Sequence, residues 1–342
     1  MRWVLSLNAV VKRALHFAGV NDLIVRSHRR KLLVLCYHGI LRESREQSGG
    51  YETCLDHSLF RAQLRWLRQR FEPIDLAGLA HWHSGAWTEP KPRVLITFDD
   101  GYKNNVTVAA PILTQERFPA VFFLATGYIG TGRVLWNHEV RQRVIAWPGE
   151  SIRLPDGSTL SLNSGSDMRR KLAEQINQQL KRLTEDACQE YQEYLRRMTP
   201  SASLMEDPEA RAFMNWNDAR TLVSGGFEIG SHTVDHPILS SIKDMPRLSK
   251  ELRGSKDTLE RELGKPCLAL AYPNGTTQDV GTEVFQEARA AGYQWGFMTT
   301  PVWQAPGGDP YQLARIGVPG HADMPTFTFY VSGLHAQFSG TA

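Results

Sequence analysis

The chain has 342 residues, 42% hydrophobic and 22% charged, enough to bury a sizeable core as one large domain or two ordinary ones. A net charge of +3, with no basic stripe interleaved with aromatics, argues against nucleic acid as a partner. The four cysteines, Cys36, Cys54, Cys188 and Cys267, are scattered without a CxxC pair, which predicts free thiols in a reducing compartment rather than a disulfide framework or a zinc knuckle.

From Met1 to Ala18, apolar residues such as Trp3, Leu7, Val10, Val11, Ala14 and Ala18 recur at helical spacing. Ser6, Asn8, Lys12 and Arg13 interrupt the pattern, so it is too broken for a signal-peptide core and too short for a membrane span. A basic run follows, with Arg26, His28, Arg29, Arg30 and Lys31. The expectation is an amphipathic helix and basic connector over 1–31 in a cytoplasmic protein. That helix either docks on the domain or rests on the anionic inner membrane face as a peripheral contact.

Leu32-Leu33-Val34-Leu35-Cys36-Tyr37 reads as a strand buried on both faces, ending at His38-Gly39. A polar loop over 42–50 precedes a helix from His57 to Phe71. A second buried strand, Val94-Leu95-Ile96-Thr97-Phe98, ends in Asp99-Asp100-Gly101, and after a helix around Val106 to Phe118 comes a third, Ala120 to Leu124. Strand and helix alternating in this way predict a parallel α/β architecture. The rhythm breaks between about 128 and 215. There Ser151 to Leu162 alternates around Pro155-Asp156-Gly157 as a hairpin, and Met168 to Met198 carries one apolar stripe, as one long helix or two shorter ones. This segment reads as an insertion packed on the core, with Trp136-Asn137-His138-Glu139 at its start facing the cleft. The rhythm resumes with Phe227 to Ser231, which ends in His232-Thr233-Val234-Asp235-His236-Pro237. A helix from about Met245 to Leu263 follows, then strands near Cys267 to Ala271, Tyr293 to Met298 and Leu313 to Val318.

Adjacent carboxylates such as Asp99 and Asp100 push one pKa up or require a cation to hold both ionised. Alone, they would be a strand-end turn, and His232 and His236 alone a capped helix start. In a parallel barrel, however, all C-terminal strand ends open on one face, so these groups converge. Two imidazoles and a carboxylate suit zinc with a position left for water.

Three motifs carry a resemblance to the NodB-homology polysaccharide deacetylases, carbohydrate esterase family four. They are Thr97-Phe98-Asp99-Asp100-Gly101, Ser231-His232-Thr233-Val234-Asp235-His236-Pro237 and Tyr272-Pro273-Asn274-Gly275, and the likeness runs from about Leu32 to Val318. It implies an irregular (β/α)7 barrel, here with an inserted hairpin-plus-helix segment, over a deacetylase domain at 32–335 and a tail at 336–342. It also implies a divalent metal, Zn2+ with Co2+ or Ni2+ as substitutes, held by Asp100, His232 and His236. Asp99 is then the general base, and the backbone N–H of Tyr272 is the expected oxyanion donor. Members with an arginine in the third motif use it to orient the base; here that position is Ala271, and Arg315 is the candidate replacement. The general acid is either His335, in a late Leu-His, or His38. Leu35-Cys36-Tyr37-His38-Gly39-Ile40 resembles the early Tyr-His segment of the exopolysaccharide-biosynthesis branch, which favours His38. Asp309 and Asp323 are candidates for the acid's carboxylate partner.

The resemblance implies hydrolysis of an N-acetyl group from an amino sugar in a polysaccharide or glycolipid precursor. Deformylation of a lipid-linked sugar or hydrolysis of a small cyclic amide would suit the same fold. From other classes, a non-haem iron oxygenase shares the donor set but needs a close His-x-Asp spacing that this chain lacks. An inactive glycan-binding module is disfavoured by the intact base and ligand positions.

Overall fold

The computed structural model describes residues 2–43, 53–86, 91–162 and 166–334. Its centre is a parallel sheet built from the apolar runs. Six consecutive buried residues form β1, Leu32–Tyr37. Side by side with it in register from Leu32↔Arg93 to Tyr37↔Phe98 is a second such strand, Arg93–Phe98. Numbering by chain order, the others are β2 (Glu72–Pro73), β4 (Val121–Leu124), β5 (Glu228–Ser231), β6 (Ala269–Ala271), β7 (Trp295–Phe297) and β8 (Ile316–Gly317), with Arg93–Phe98 as β3. The order across the sheet is β7-β6-β5-β4-β3-β1-β8, with β2 pairing only the first two residues of β3. Every one of these pairings is parallel.

The ring closes through one short segment. Leu313 pairs in parallel with Phe297 of β7, and three residues later Ile316 pairs with Leu35 of β1. The result is a (β/α)7 barrel, the parallel architecture that alternating strand and helix predict. Alternation along the strands sorts the apolar residues into two cores. Leu33, Leu35, Tyr37, Val94, Ile96 and Phe98 face outward to the helices. Leu32, Val34, Leu95, Val121, Phe123 and Ala271 face the barrel interior. There they meet Ile74, Leu79 and Trp82 from the helix Leu76–His83 and the turn before it. Trp82 also donates its indole N–H to the carbonyl of Arg30, just before β1, so this helix closes the N-terminal end of the barrel.

Two peripheral units are added. Between β4 and β5, the hairpin Ser151–Arg153/Thr159–Ser161 and the helices Ser166–Leu180 and Glu185–Met198 share a core of their own around Val140, Trp147, Ile176 and Leu195. The apolar stripe over Met168 to Met198 is thus two helices; Thr184 caps the second by accepting the N–H of Ala187. Before β1, the helices Arg2–Phe17 and Val20–Ser27 lie against Met324–Val331. His16 Nδ1 lies 3.0 Å from Thr328 Oγ1, and the Asn21 amide donates to the same hydroxyl at 2.9 Å.

Candidate metal centre and its cleft

The ends of β3 and β5 meet at the C-terminal mouth of the barrel. Leu95 points inward, and two-residue alternation carries that direction through Thr97 to Asp99. The chain then turns with Asp100 at φ 75° and Gly101 at φ 90°. Left-handed backbone is costly for any residue but glycine. Among the described residues five non-glycines adopt it, and four of them, Asp100, Thr233, His236 and Asn274, belong to the loops around this mouth. Such strain persists only where neighbours hold it. The buried Glu251 accepts the N–H groups of Val234 and Asp235 at 2.8 and 2.9 Å, and Thr233 Oγ1 accepts that of His236 at 3.1 Å.

These loops bring Asp100, His232 and His236 together, with donor atoms within 4.8 Å of one another. Both imidazole Nε2 atoms lie 3.5 Å from Asp100 Oδ1. His232 Nδ1 is 2.7 Å from the carbonyl of Ala271. That contact makes Nδ1 the protonated nitrogen and leaves the Nε2 lone pair aimed at the cleft, the usual support for a ligating histidine. His236 Nδ1 is buried without a hydrogen-bond partner among the described residues. Burial pushes both imidazoles down to about 4, so they are neutral bases at neutral pH. One carboxylate and two neutral imidazoles fit a divalent cation of the zinc type.

Asp99 stands beside this triad and is held differently. Arg315, fully buried, donates Nη1–H to Oδ1 at 2.7 Å and Nη2–H to Oδ2 at 2.8 Å. The guanidinium is itself fixed by the Met298 carbonyl and Thr97 Oγ1. Cys36 Sγ adds a contact to Oδ2 at 3.3 Å, and His232 Nε2 is 3.9 Å from that same oxygen. Burial would raise the Asp99 carboxyl, but the charge of Arg315 and its hydrogen bonds outweigh it and hold the group far below the ordinary carboxylate range.

The cleft over these groups encloses about 320 Å3. His38 lines it, and its donor atom lies within 4.8 Å of those of Cys36 and Asp99. Its Nδ1 is buried without a hydrogen-bond partner among the described residues, and the Asn105 amide anchors its carbonyl at 2.6 Å. Tyr272 is elsewhere. On β6 and just beyond it Ala269 and Ala271 face inward, so Leu270 and Tyr272 face the outer core. The Tyr272 N–H donates to the carbonyl of Phe297 at 3.1 Å and its hydroxyl to Tyr311, so neither is available as an oxyanion donor. His335 lies outside the described residues. Asp309 and Asp323 serve local turns instead, accepting the N–H groups of Tyr311 and Thr326, and neither lines the cleft.

The insertion supplies much of the remaining wall. Trp136, Asn137, His138, Arg141 and Lys181 all face the cleft, whereas Glu139 turns away to Arg143 and Arg196. Lys181 donates to Asn274 Oδ1 at 3.0 Å, and burial lowers its ammonium below the ordinary lysine value. Sequence reasoning missed Lys181, Cys36 and Glu251. Each sits within an ordinary helix or strand pattern, and no spacing marks it.

The sequence profile of the polysaccharide deacetylases matches residues 87–296, more than half of the chain. Poly-β-1,6-N-acetyl-D-glucosamine N-deacetylase of Escherichia coli K12 is 35% identical over 75 residues, 22% of this chain and 11% of that protein, so the match spans about a tenth of the relative's length. Among solved structures, the deacetylase PplD of Streptococcus pyogenes in complex with acetate superposes with a TM-score of 0.57 at 18% identity, over 88% of this chain and 98% of that one. IcaB of Ammonifex degensii gives 0.56 at 20% identity, over 88% and 97%. These structures share the barrel just described, and the profile match places the chain in the polysaccharide deacetylase family.

Proposed function

We propose that this chain is a metal-dependent N-deacetylase of an amino sugar within a polysaccharide or glycolipid precursor. The observation that supports it most is the pairing of a two-histidine, one-carboxylate donor set with a separate, ionised carboxylate that the donors do not use. Asp100, His232 and His236 would hold the ion, with Zn2+ best suited to them. When bound, such an ion lowers the pKa of water towards ~7 and polarises an acyl oxygen.

The chain's own groups account for the proton movements. Asp99 Oδ2, the oxygen nearest His232, takes the proton of the attacking water as the new C–O bond forms. Arg315 keeps that carboxylate ionised and in one orientation. His38, on the Cys36 side of Asp99, delivers a proton to the amine nitrogen as the C–N bond breaks, leaving acetate and a free amino sugar. The insertion residues Trp136, Asn137 and Lys181 border the same space and select among sugars.

The test is acetate release from N-acetylglucosamine oligomers by protein loaded with Zn2+ or Co2+, followed by mass spectrometry. Asp99→Asn should lower kcat by about 10²–10⁴-fold while the protein retains its metal. His38→Ala should lower kcat without loss of metal, and Asp100→Asn should lose both. If Asp99→Asn loses its metal while Asp100→Asn still turns over, the two roles are reversed; if N-formylglucosamine is cleaved and the N-acetylated oligomers are not, the acyl group is wrong.

A further inference from the structure

The two helices before β1 have one side accounted for and one side bare. Towards the domain, His16 and Asn21 bond Thr328, Val25 is fully buried, and the Lys12 ammonium sits 5.4 Å from the centre of the Phe329 ring. Away from it, Val10 is 62% exposed, Phe17 81% and Leu23 65%. Val10, Ala14 and Phe17 follow the i, i+4, i+7 spacing of a single helix face, and all three are exposed. Four of the nine large hydrophobic side chains that stand exposed among the described residues fall between Val10 and Leu23. An apolar face this dense is not the scatter of single residues that a surface tolerates.

Charge separates this segment from the rest of the molecule. Residues 1–31 hold seven Lys and Arg against one acid, a net of +6, in a chain whose total is +3, so the remainder is −3. The one acid, Asp22, is bound by Arg70 at 2.6 Å. Arg13, Arg26, Arg29 and Arg30 are all exposed around the apolar face. No described helix is long and apolar enough to cross a membrane.

We infer that the outer side of these two helices is a docking surface for an anionic lipid bilayer, on which the segment lies flat. Phe17, Val10 and Leu23 enter the headgroup boundary, and the arginines meet the lipid phosphates. A second copy of the chain is a poorer occupant, since each copy would bring +6 to the same interface. Residues 29–31 precede the first residue of β1, while His38 follows its last, so the basic connector stands ~20 Å from the catalytic end of the barrel at about 3.3 Å per residue.

Sedimentation of the full chain with phosphatidylglycerol/phosphatidylcholine vesicles, against phosphatidylcholine alone, tests this without reference to activity. Binding should be confined to the anionic vesicles and should fall as salt is raised. Arg13→Gln/Arg29→Gln/Arg30→Gln should weaken it by on the order of a hundredfold. Phe17→Ser/Leu23→Ser should weaken it by roughly tenfold or more. Both variants change exposed side chains and should melt with the parent. Absence of vesicle binding, or binding that neither variant changes, overturns the inference. So does a solution dimer that Phe17→Ser dissolves, since a second copy would then cover this face.

Discussion

Asp99 has both oxygens engaged and rests ionised at ordinary pH. Arg315 holds Oδ1 and Oδ2 in one plane, and Cys36 lies against Oδ2. A lysine could not reproduce that two-point grip. Arg315→Met would leave a buried carboxylate without its partner, and should destabilise the fold by about 3–5 kcal/mol in denaturant titrations. The depressed carboxyl contributes stability that is fully present above its unfolded value of about 3.9 and is lost only as pH falls through the lower folded value. Wild type should therefore hold its stability from pH 5 to 8, whereas in Arg315→Met burial raises the Asp99 carboxyl, so the variant should lose further stability as pH rises and the gap should widen; a gap that stays the same across that window would mean the pair is not what holds Asp99 ionised. The carboxylate and histidine motifs were legible because they are short and stand at strand ends. The guanidinium was harder to find: it reaches Asp99 from the segment that closes the ring, and only the pairing of Ile316 with Leu35 brings the two within reach. Cys36 left no signal at all, since a thiol within an apolar run reads as core.

At the scale of elements, β5 carries a liability at one end and the histidines at the other. Glu228, its first residue, is pushed up to about 7, chiefly by burial and further by Asp75, although the Leu76 N–H donates to it at 2.9 Å. A carboxyl whose folded pKa is raised is at its most favourable below the unfolded value of about 4.3, and it loses that stability as pH rises through the folded one. Glu228→Gln keeps an acceptor for Leu76 and removes the charge. It should melt higher than wild type at pH 8 and level with it at pH 4; a lower melting temperature at pH 8 would show that the carboxylate is needed ionised. The strands themselves were readable from unbroken apolar runs, whereas the extent of the short ones was not. Cys267 and Leu268 look like strand, yet β6 begins at Ala269 because only from there do residues pair with Trp295 onwards. The stripe from Met168 to Met198 left one helix or two open for a similar reason: apolar spacing continues across the break, and Thr184 acts as a cap only once the chain has turned.

For the whole molecule, the ring is closed by few bonds at β8, and at the opposite side the candidate ion site ties two strand ends on either side of β4. Asp100 follows β3, and His232 and His236 follow β5, with β4 between them. Without an ion, this arrangement buries a carboxylate between imidazoles that burial keeps neutral, next to a loop held in left-handed backbone. An ion bound only by the folded state adds stability by mass action, about 2.7 kcal/mol at a hundredfold excess over its Kd. Zn2+ or Co2+ should therefore raise the melting temperature of the chelator-treated protein, and renewed chelation should reverse the gain. Asp99→Asn should retain that response, since Asp99 is outside the donor set, while Asp100→Ala and His232→Ala should lose it. Equal responses in all four proteins would place the stabilising ion elsewhere on the chain, and no response in the wild type would remove Asp100, His232 and His236 as its ligands.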